Sequence, residues 1–110
     1  MTASRAKGTK AETAVVNYLK ANGWPFAERH AQHGSKDVGD VNIPGVVIEV
    51  KSASRIDLSG WIGELEDEMD NADTSDGVVV VKRRGTTDPG KFYAICTFDM
   101  WCAMAKEAGL

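Results

Sequence analysis

The fold of this chain is decided by residues 39–51, which read GDVNIPGVVIEVK. Two short apolar runs flank the dipeptide Pro44-Gly45. Pro followed by Gly is typical of a tight turn, because Pro fixes one backbone dihedral and Gly tolerates a positive φ. The pattern therefore predicts a β-hairpin with strands at 41–43 and 46–50.

Side chains of a strand alternate between its two faces, so this hairpin is predicted to have one apolar and one polar face. The apolar face comprises Val41, Ile43, Val46, Ile48 and Val50. The opposite face comprises Asp40, Asn42, Val47, Glu49 and Lys51. Counting outward from the turn places Asp40 across from Glu49, and the Cβ atoms of such pairs lie roughly 4.5–5.5 Å apart.

Two carboxylates at that distance need a shared proton or a bound cation to offset their repulsion. Carboxylate oxygens suit Mg²⁺ or Mn²⁺ better than zinc. Lys51 shares a face with Glu49, and an ammonium group beside a cation can stabilise the charge that develops in phosphoryl transfer. A solvated surface hairpin explains the same pattern equally well, so these residues alone leave both interpretations open.

A chain of 110 residues with 43% hydrophobic side chains is expected to form one domain with a modest core. No apolar segment approaches the roughly 18 residues of a membrane span, and the two cysteines lack metal-ligand spacing. We therefore expect a cytoplasmic protein with no membrane partner. The net charge of −3 argues weakly against a nucleic-acid partner, although several cations are close in sequence to the acids.

Apolar residues recur at helical spacing in three segments. The first helix is predicted from Lys7 to Asn22, after a flexible basic arm at 1–6, and it carries Glu12 on its apolar stripe. A glutamate in that position is costly unless it has a partner. The second helix is predicted over 58–73 with Asp57 as N-cap, and the third follows an N-cap at residue 97.

Strands are also predicted at 24–29, 77–81 and 92–96. The second of these is a continuous β-branched run, which is typical of a strand buried on both faces. The order α-β-β-β-α-β-β-α predicts an α/β fold with a mixed five-stranded β-sheet flanked by helices. The polar segment 30–39 is predicted to be a loop of the length that carries function.

Glu12 on the first helix, Asp40 on one strand and Glu49-Val50-Lys51 on the next together resemble the PD-(D/E)XK restriction-endonuclease-like nucleases. Within that superfamily, three segments are most similar to the archaeal-type Holliday junction resolvases, and the similarity spans about residues 5–96. These segments are KGTKAE at 7–12, GDV at 39–41 and IEVKS at 48–52.

The resemblance implies one nuclease domain over residues 1–110 with a restriction-endonuclease-like core. It implies Mg²⁺-dependent hydrolysis of DNA phosphodiesters, with Mn²⁺ able to substitute, and a homodimer that resolves four-way junctions in recombination or replication. The implied catalytic residues are Glu12, Asp40, Glu49 and Lys51, the last positioning or deprotonating the attacking water. The implied metal ligands are Asp40, Glu49, the Val50 carbonyl oxygen and, directly or through water, Glu12. The expected contacts to the DNA backbone are Arg5, Lys7, Lys10, Arg29, Ser35 and Lys36.

The sequence departs from the family pattern at Gly39, where the signature has a proline, and in the short spacing between Asp40 and Glu49. Asp37 is a competing candidate for the metal-binding acid, although the hairpin count does not place it opposite Glu49. A role for His33, Glu64 or Glu68 is left open. Two other functions also stay open: a nuclease of the same fold that cuts flaps, single strands or a specific duplex, and a nucleic-acid-binding subunit that does not cut.

Overall fold

The computed structural model describes residues 3–30 and 36–110, and within them it contains three α-helices and five β-strands. Their bounds are α1 (Ala3–Ala21), β1 (Glu28–Arg29), β2 (Val41–Ile43), β3 (Val46–Lys51), α2 (Leu58–Asn71), β4 (Gly77–Val81), β5 (Tyr93–Ile95) and α3 (Phe98–Glu107). A short 3₁₀ turn, Pro89–Lys91, precedes β5. Asp57 and Thr97 cap α2 and α3 with their side chains, as predicted.

The five strands form one mixed sheet in the order β1-β2-β3-β4-β5. β3 and β4 are parallel and are joined by α2, whereas every other neighbouring pair is antiparallel. The predicted α/β fold with a mixed five-stranded sheet is therefore confirmed. β3 lies at the centre, so its side chains have neighbouring strands on both sides.

The hairpin register is the one that the turn predicts. Val41 pairs with Ile48 and Ile43 pairs with Val46. Gly45 has a φ of +76°, a backbone conformation that glycine adopts without strain. The sequence thus determines which residues of β2 and β3 face each other.

Both faces of the sheet carry a hydrophobic core. On one face α1 packs against the predicted apolar side of the hairpin, and this core comprises Ala11, Val15, Val16, Ala27, Val41, Ile43, Ile48 and Val50. On the other face α2 packs against β3 and β4, and this core comprises Val47, Trp61, Leu65, Met69, Val79 and Val81. The hairpin face predicted to be polar is therefore covered by α2, and Glu49 on it is buried.

Two predicted boundaries were wrong. The strand predicted at 24–29 is only Glu28–Arg29, because Pro25 cannot donate to a ladder and the N–H of Trp24 instead bonds the Leu19 carbonyl at 3.0 Å. The helix predicted to begin at Lys7 begins at Ala3, so Arg5 of the predicted arm lies in the first turn of α1.

α3 is the most exposed of the described helices, and none of its residues is fully buried. Met100 packs against the core on the α2 side, while Phe98 and Trp101 stack on each other in solvent with ring centroids 5.9 Å apart. Within residues 3–30 and 36–110, no helix combines the length and apolar character needed to cross a membrane.

The core on the α2 side should dominate stability, because it holds both α2 and the central strands in place. Leu65 is 1% exposed there, so Leu65→Ala is expected to lower the free energy of unfolding by about 2–5 kcal/mol. Glu66→Ala, at an exposed neighbouring position, should change it by less than about 0.5 kcal/mol. Urea denaturation measures both, and equal midpoints for the two variants would contradict this account of the core.

Candidate metal centre and active site

Glu49 is a carboxylate on the central strand of the sheet, and only 4% of the residue is exposed. The alternation of side chains along β3 points it toward α2. The ammonium of Lys51, two residues further on the same face, lies 3.4 Å from Glu49 Oε2. The sequence pattern Glu-Val-Lys therefore places an acid and a cation side by side at the end of β3.

Asp40 lies directly before β2 and next to Glu49. Its backbone N–H donates to the Ile48 carbonyl at 2.8 Å, and its Oδ2 accepts from the Val50 N–H at 2.8 Å. Its side chain also lies within hydrogen-bonding reach of Glu49. The predicted pairing of Asp40 and Glu49 is thus present, with the Asp40 carboxylate continuing the ladder where β2 has not yet begun.

The residue before Asp40 has a backbone conformation that proline cannot adopt. Gly39 has a φ of +101°, whereas the proline ring fixes φ near −65°. A Cβ at Gly39 would also meet the Ile48 carbonyl oxygen and Val47 Cγ1 at 3.0 Å. This backbone conformation requires glycine where the signature has proline.

Asp37 and Glu68 complete an acidic cluster with Glu49. One carboxylate oxygen from each of the three residues lies within 4.8 Å of the other two. Asp37 reaches this position although it is outside the hairpin, because its backbone carbonyl accepts from Asn71 Nδ2 of α2 at 2.8 Å. This contact with α2 is not visible from the strand pairing, which does not place Asp37 opposite Glu49.

Glu68 is the site residue that sequence analysis left open and that the structure places most deeply. It is 3% exposed, and in the described part of the chain no hydrogen-bond partner reaches its Oε1. It lies on the stripe of α2 that includes Trp61 and Leu65. Glu68 resembles Glu12 in being a glutamate on the apolar stripe of a helix, and this pattern is visible in the sequence.

Burial and mutual repulsion shift the protonation of these acids. Burial, followed by the charge of Asp40, raises the pKa of Glu49 to about 7. Burial, together with hydrogen bonding to Glu49 and the Glu49 charge, raises the pKa of Glu68 to about 10. Burial also raises the pKa of Asp40, against the opposing hydrogen bond from Val50. Without a cation, the cluster therefore retains protons that isolated carboxylates would release.

Lys51 remains protonated in this environment. Its burial acts to lower its pKa, but hydrogen bonds and charges from Glu64 and Glu49 outweigh burial and raise the pKa overall. Its Nζ lies 3.0 Å from Glu64 Oε2, so Glu64 of α2 helps to hold the ammonium in place. Because the raised pKa keeps this amine protonated, it has no lone pair with which to accept a proton.

Glu12 lies on the other side of the sheet, on α1. Its Oε1 pairs with Arg29 Nε at 3.1 Å. Burial, followed by the charge of Asp40, raises the pKa of Glu12 although Arg29 opposes this. Glu12 is therefore within electrostatic range of Asp40, and its direct partner is the Arg29 guanidinium rather than the Glu49 cluster.

A basic groove borders the end of β3. A cavity of about 180 Å³ there is lined by Lys7, Ser52, Ala53, Ser54, Lys82 and Arg84. Lys7, Lys10 and Lys82 also line a neighbouring cavity. Arg5 and Lys36 are exposed, whereas Ser35 and His33 lie outside the described residues.

The donor set fits a hard divalent cation. All side-chain donors in the cluster are carboxylate oxygens, which Mg²⁺ and Mn²⁺ prefer, and a bound cation would supply the partner that Glu68 Oε1 lacks. No family model, no curated protein and no solved structure matches this chain. The site is therefore interpreted from its own geometry.

The raised pKa values predict how the metal-free protein responds to pH. The folded state binds these protons more tightly than the unfolded state. The stability that they contribute is therefore fully present when the pH is below 4.5, the ordinary pKa of a glutamate. It is lost as the pH rises toward about 7 for Glu49 and toward about 10 for Glu68. In the presence of a chelator, the midpoint of thermal unfolding should therefore fall by several degrees as the pH is raised from 4.5 to about 10.

Glu68→Gln tests the origin of this fall, because glutamine cannot ionise and is close in shape to glutamic acid. The variant should lose less stability with rising pH than the wild type. A midpoint that rises with pH across this window, or an equal slope in both proteins, would contradict the assignment.

Proposed function

We propose that this chain is a metal-dependent DNA endonuclease with a restriction-endonuclease-like core of the PD-(D/E)XK type. The observation that carries this proposal is the contact between the half-buried Asp40 and the buried Glu49, with the Lys51 ammonium 3.4 Å from Glu49. Adjacent acids beside a fixed cation are the groups needed to bind a divalent ion and stabilise a reacting phosphate.

Asp40, Glu49 and the Val50 carbonyl oxygen would hold the cation. The N–H and C=O of one strand residue point toward the same neighbouring strand, and the Val50 N–H bonds Asp40. The Val50 carbonyl therefore faces the same side as Asp40. A Mg²⁺ or Mn²⁺ ion held by these ligands would supply Lewis-acid chemistry to the reacting phosphate and the attacking water.

Lys51 acts as a fixed positive charge in this proposal. Its ammonium donates a hydrogen bond to an oxygen of the reacting phosphate or of the attacking water, and offsets the negative charge that develops. Because its pKa is raised, Lys51 orients the water rather than removing its proton. Glu12 holds Arg29, which is half exposed and thus available to the DNA backbone at the same end of the sheet.

The basic groove supports binding of a DNA strand next to the acids. Ser52 directly follows Lys51, and Lys7, Lys82 and Arg84 surround it. Ammonium and guanidinium groups bind phosphate oxygens without reading bases. This arrangement suits an enzyme that recognises the path of the backbone, as a junction requires, rather than a base sequence.

The family resemblance supports a four-way junction as the substrate, and one exposed surface supports a homodimer. We infer that the enzyme acts on four-way junctions as a homodimer, because paired nicks need two sites related by a two-fold axis. Phe98 and Trp101 are 78% and 51% exposed on α3, and exposed aromatic side chains are enriched at protein interfaces. This surface supports the homodimer.

Loss of a metal-binding acid or of the ammonium should abolish cleavage. We expect Glu49→Gln and Lys51→Ala to reduce the rate of Mg²⁺-dependent cleavage of labelled DNA by about 100-fold or more. Asp67→Asn, an exposed acid on the outer side of α2, should retain wild-type activity. Folded wild-type protein that binds DNA without cutting it in Mg²⁺ or Mn²⁺ would instead support the non-cleaving subunit.

The shape of the preferred DNA can be measured with a panel of one sequence built as a four-way junction, a flap, a single strand and a linear duplex. The junction should be cut fastest, by paired nicks at symmetric positions, and sedimentation should show a dimer at the assay concentration. Faster cutting of the flap, single strand or duplex would leave the nuclease chemistry intact and overturn the junction assignment.

A further inference from the structure

Glu68 is a buried carboxylate. The roles proposed above for the catalytic residues do not account for its burial. The residue is 3% exposed, and among the described residues nothing donates to its Oε1. Lys51, which pairs with Glu49 and Glu64, makes no ion pair with it. Burying a carboxylate oxygen without a hydrogen-bond partner costs free energy, so Glu68 is expected either to stay protonated or to bind a cation.

The surroundings of Glu68 provide the other ligands of a cation site. Oxygens of Asp37, Glu49 and Glu68 lie within 4.8 Å of one another. Two oxygens on opposite sides of a Mg²⁺ ion are about 4.1 Å apart, given metal–oxygen distances of about 2.0–2.1 Å. A divalent ion can therefore contact all three residues after only small side-chain movements.

The three acids lie on backbone segments that hold them in place. Glu49 is on the central strand, and Glu68 is on a helix packed against that strand. Asp37 is fixed by two hydrogen bonds, from the Gly39 N–H to its Oδ1 at 2.9 Å and from Asn71 Nδ2 to its carbonyl at 2.8 Å. Asn71 lies one turn after Glu68 on α2, so the same helix positions both acids opposite Glu49.

We propose that Glu68 and Asp37 bind the divalent cation together with Glu49. A bound ion then joins α2, the segment 36–40 and β3. The inference rests on the proposed function for the presence of a cation at Glu49, and it adds a ligand from α2 to that site. Glu49 is the residue that this set of acids shares with the ligands proposed above.

Calorimetric titration with Mn²⁺ tests this inference without measuring activity. Glu68→Gln and Asp37→Asn should each weaken Mn²⁺ binding by about tenfold or more, since each removes a charged ligand. Glu66→Gln is the matched control, because it removes an exposed glutamate from the same helix and should bind Mn²⁺ as the wild type does. Circular dichroism should show Glu68→Gln folded, because the substitution removes a buried ionisable group.

The outcomes separate this inference from the proposed function. If the wild type binds Mn²⁺ and Glu68→Gln binds it with equal affinity, the role of Glu68 as a ligand is overturned while the nuclease proposal stands. If the wild type neither binds Mn²⁺ nor cleaves DNA in its presence, both are overturned. Weaker binding by Glu68→Gln together with unchanged binding by Glu66→Gln supports the inference.

Discussion

The repulsion between neighbouring carboxylates at the end of the central strand is the constraint on which the site depends. Glu49 lies on β3 with Asp40 on one side and Glu68 on the other, and the pKa values of all three are raised. One ammonium, shared between Glu49 and Glu64, offsets part of this charge. The remaining repulsion can be relieved by protons or by a divalent cation, so metal binding and protonation compete for the same oxygens.

The fold tolerates this repulsion because the acids are held by contacts elsewhere. α2 is anchored to the sheet by Trp61, Leu65 and Met69, which are buried against β3 and β4. The segment before β2 is tied to α2 through Asn71 and to β3 through Asp40. The apolar contacts thus keep the charged groups in position, as they must if a binding site is to be organised before its ligand arrives.

The parts of the structure that depend on local pattern could be predicted from the sequence. The turn at Pro44-Gly45 and the alternation of side chains determine the register of β2 and β3, and helical spacing together with its caps locates α2 and α3. The position of Asp40 beside Glu49 follows from that register. These features involve residues that are close in sequence, where the period of the pattern is sufficient.

The parts that depend on contacts between distant elements could not be predicted in the same way. Asp37 is held near Glu49 in part by Asn71, which is 34 residues later and bonds its carbonyl. The burial of Glu49 requires α2 to cover a strand face that contains both apolar and charged residues. Glu68 is intermediate between these cases, since its place on the apolar stripe of α2 is visible in the sequence while its proximity to Glu49 is not.

The acidic composition counts less against a DNA partner when the burial and protonation of the acids are considered. The formal net charge of −3 counts every carboxylate as ionised. If Glu68 keeps its proton at pH 7, as a pKa of about 10 implies, the net charge becomes −3 + 1 = −2, and a divalent cation bound by the ionised acids gives −3 + 2 = −1. Two acids of the cluster, Glu49 and Glu68, are buried, whereas Lys7, Lys82 and Arg84 line an open groove. A nucleic acid responds to the charges that its phosphates can approach, and the charged side chains that line this groove are positive.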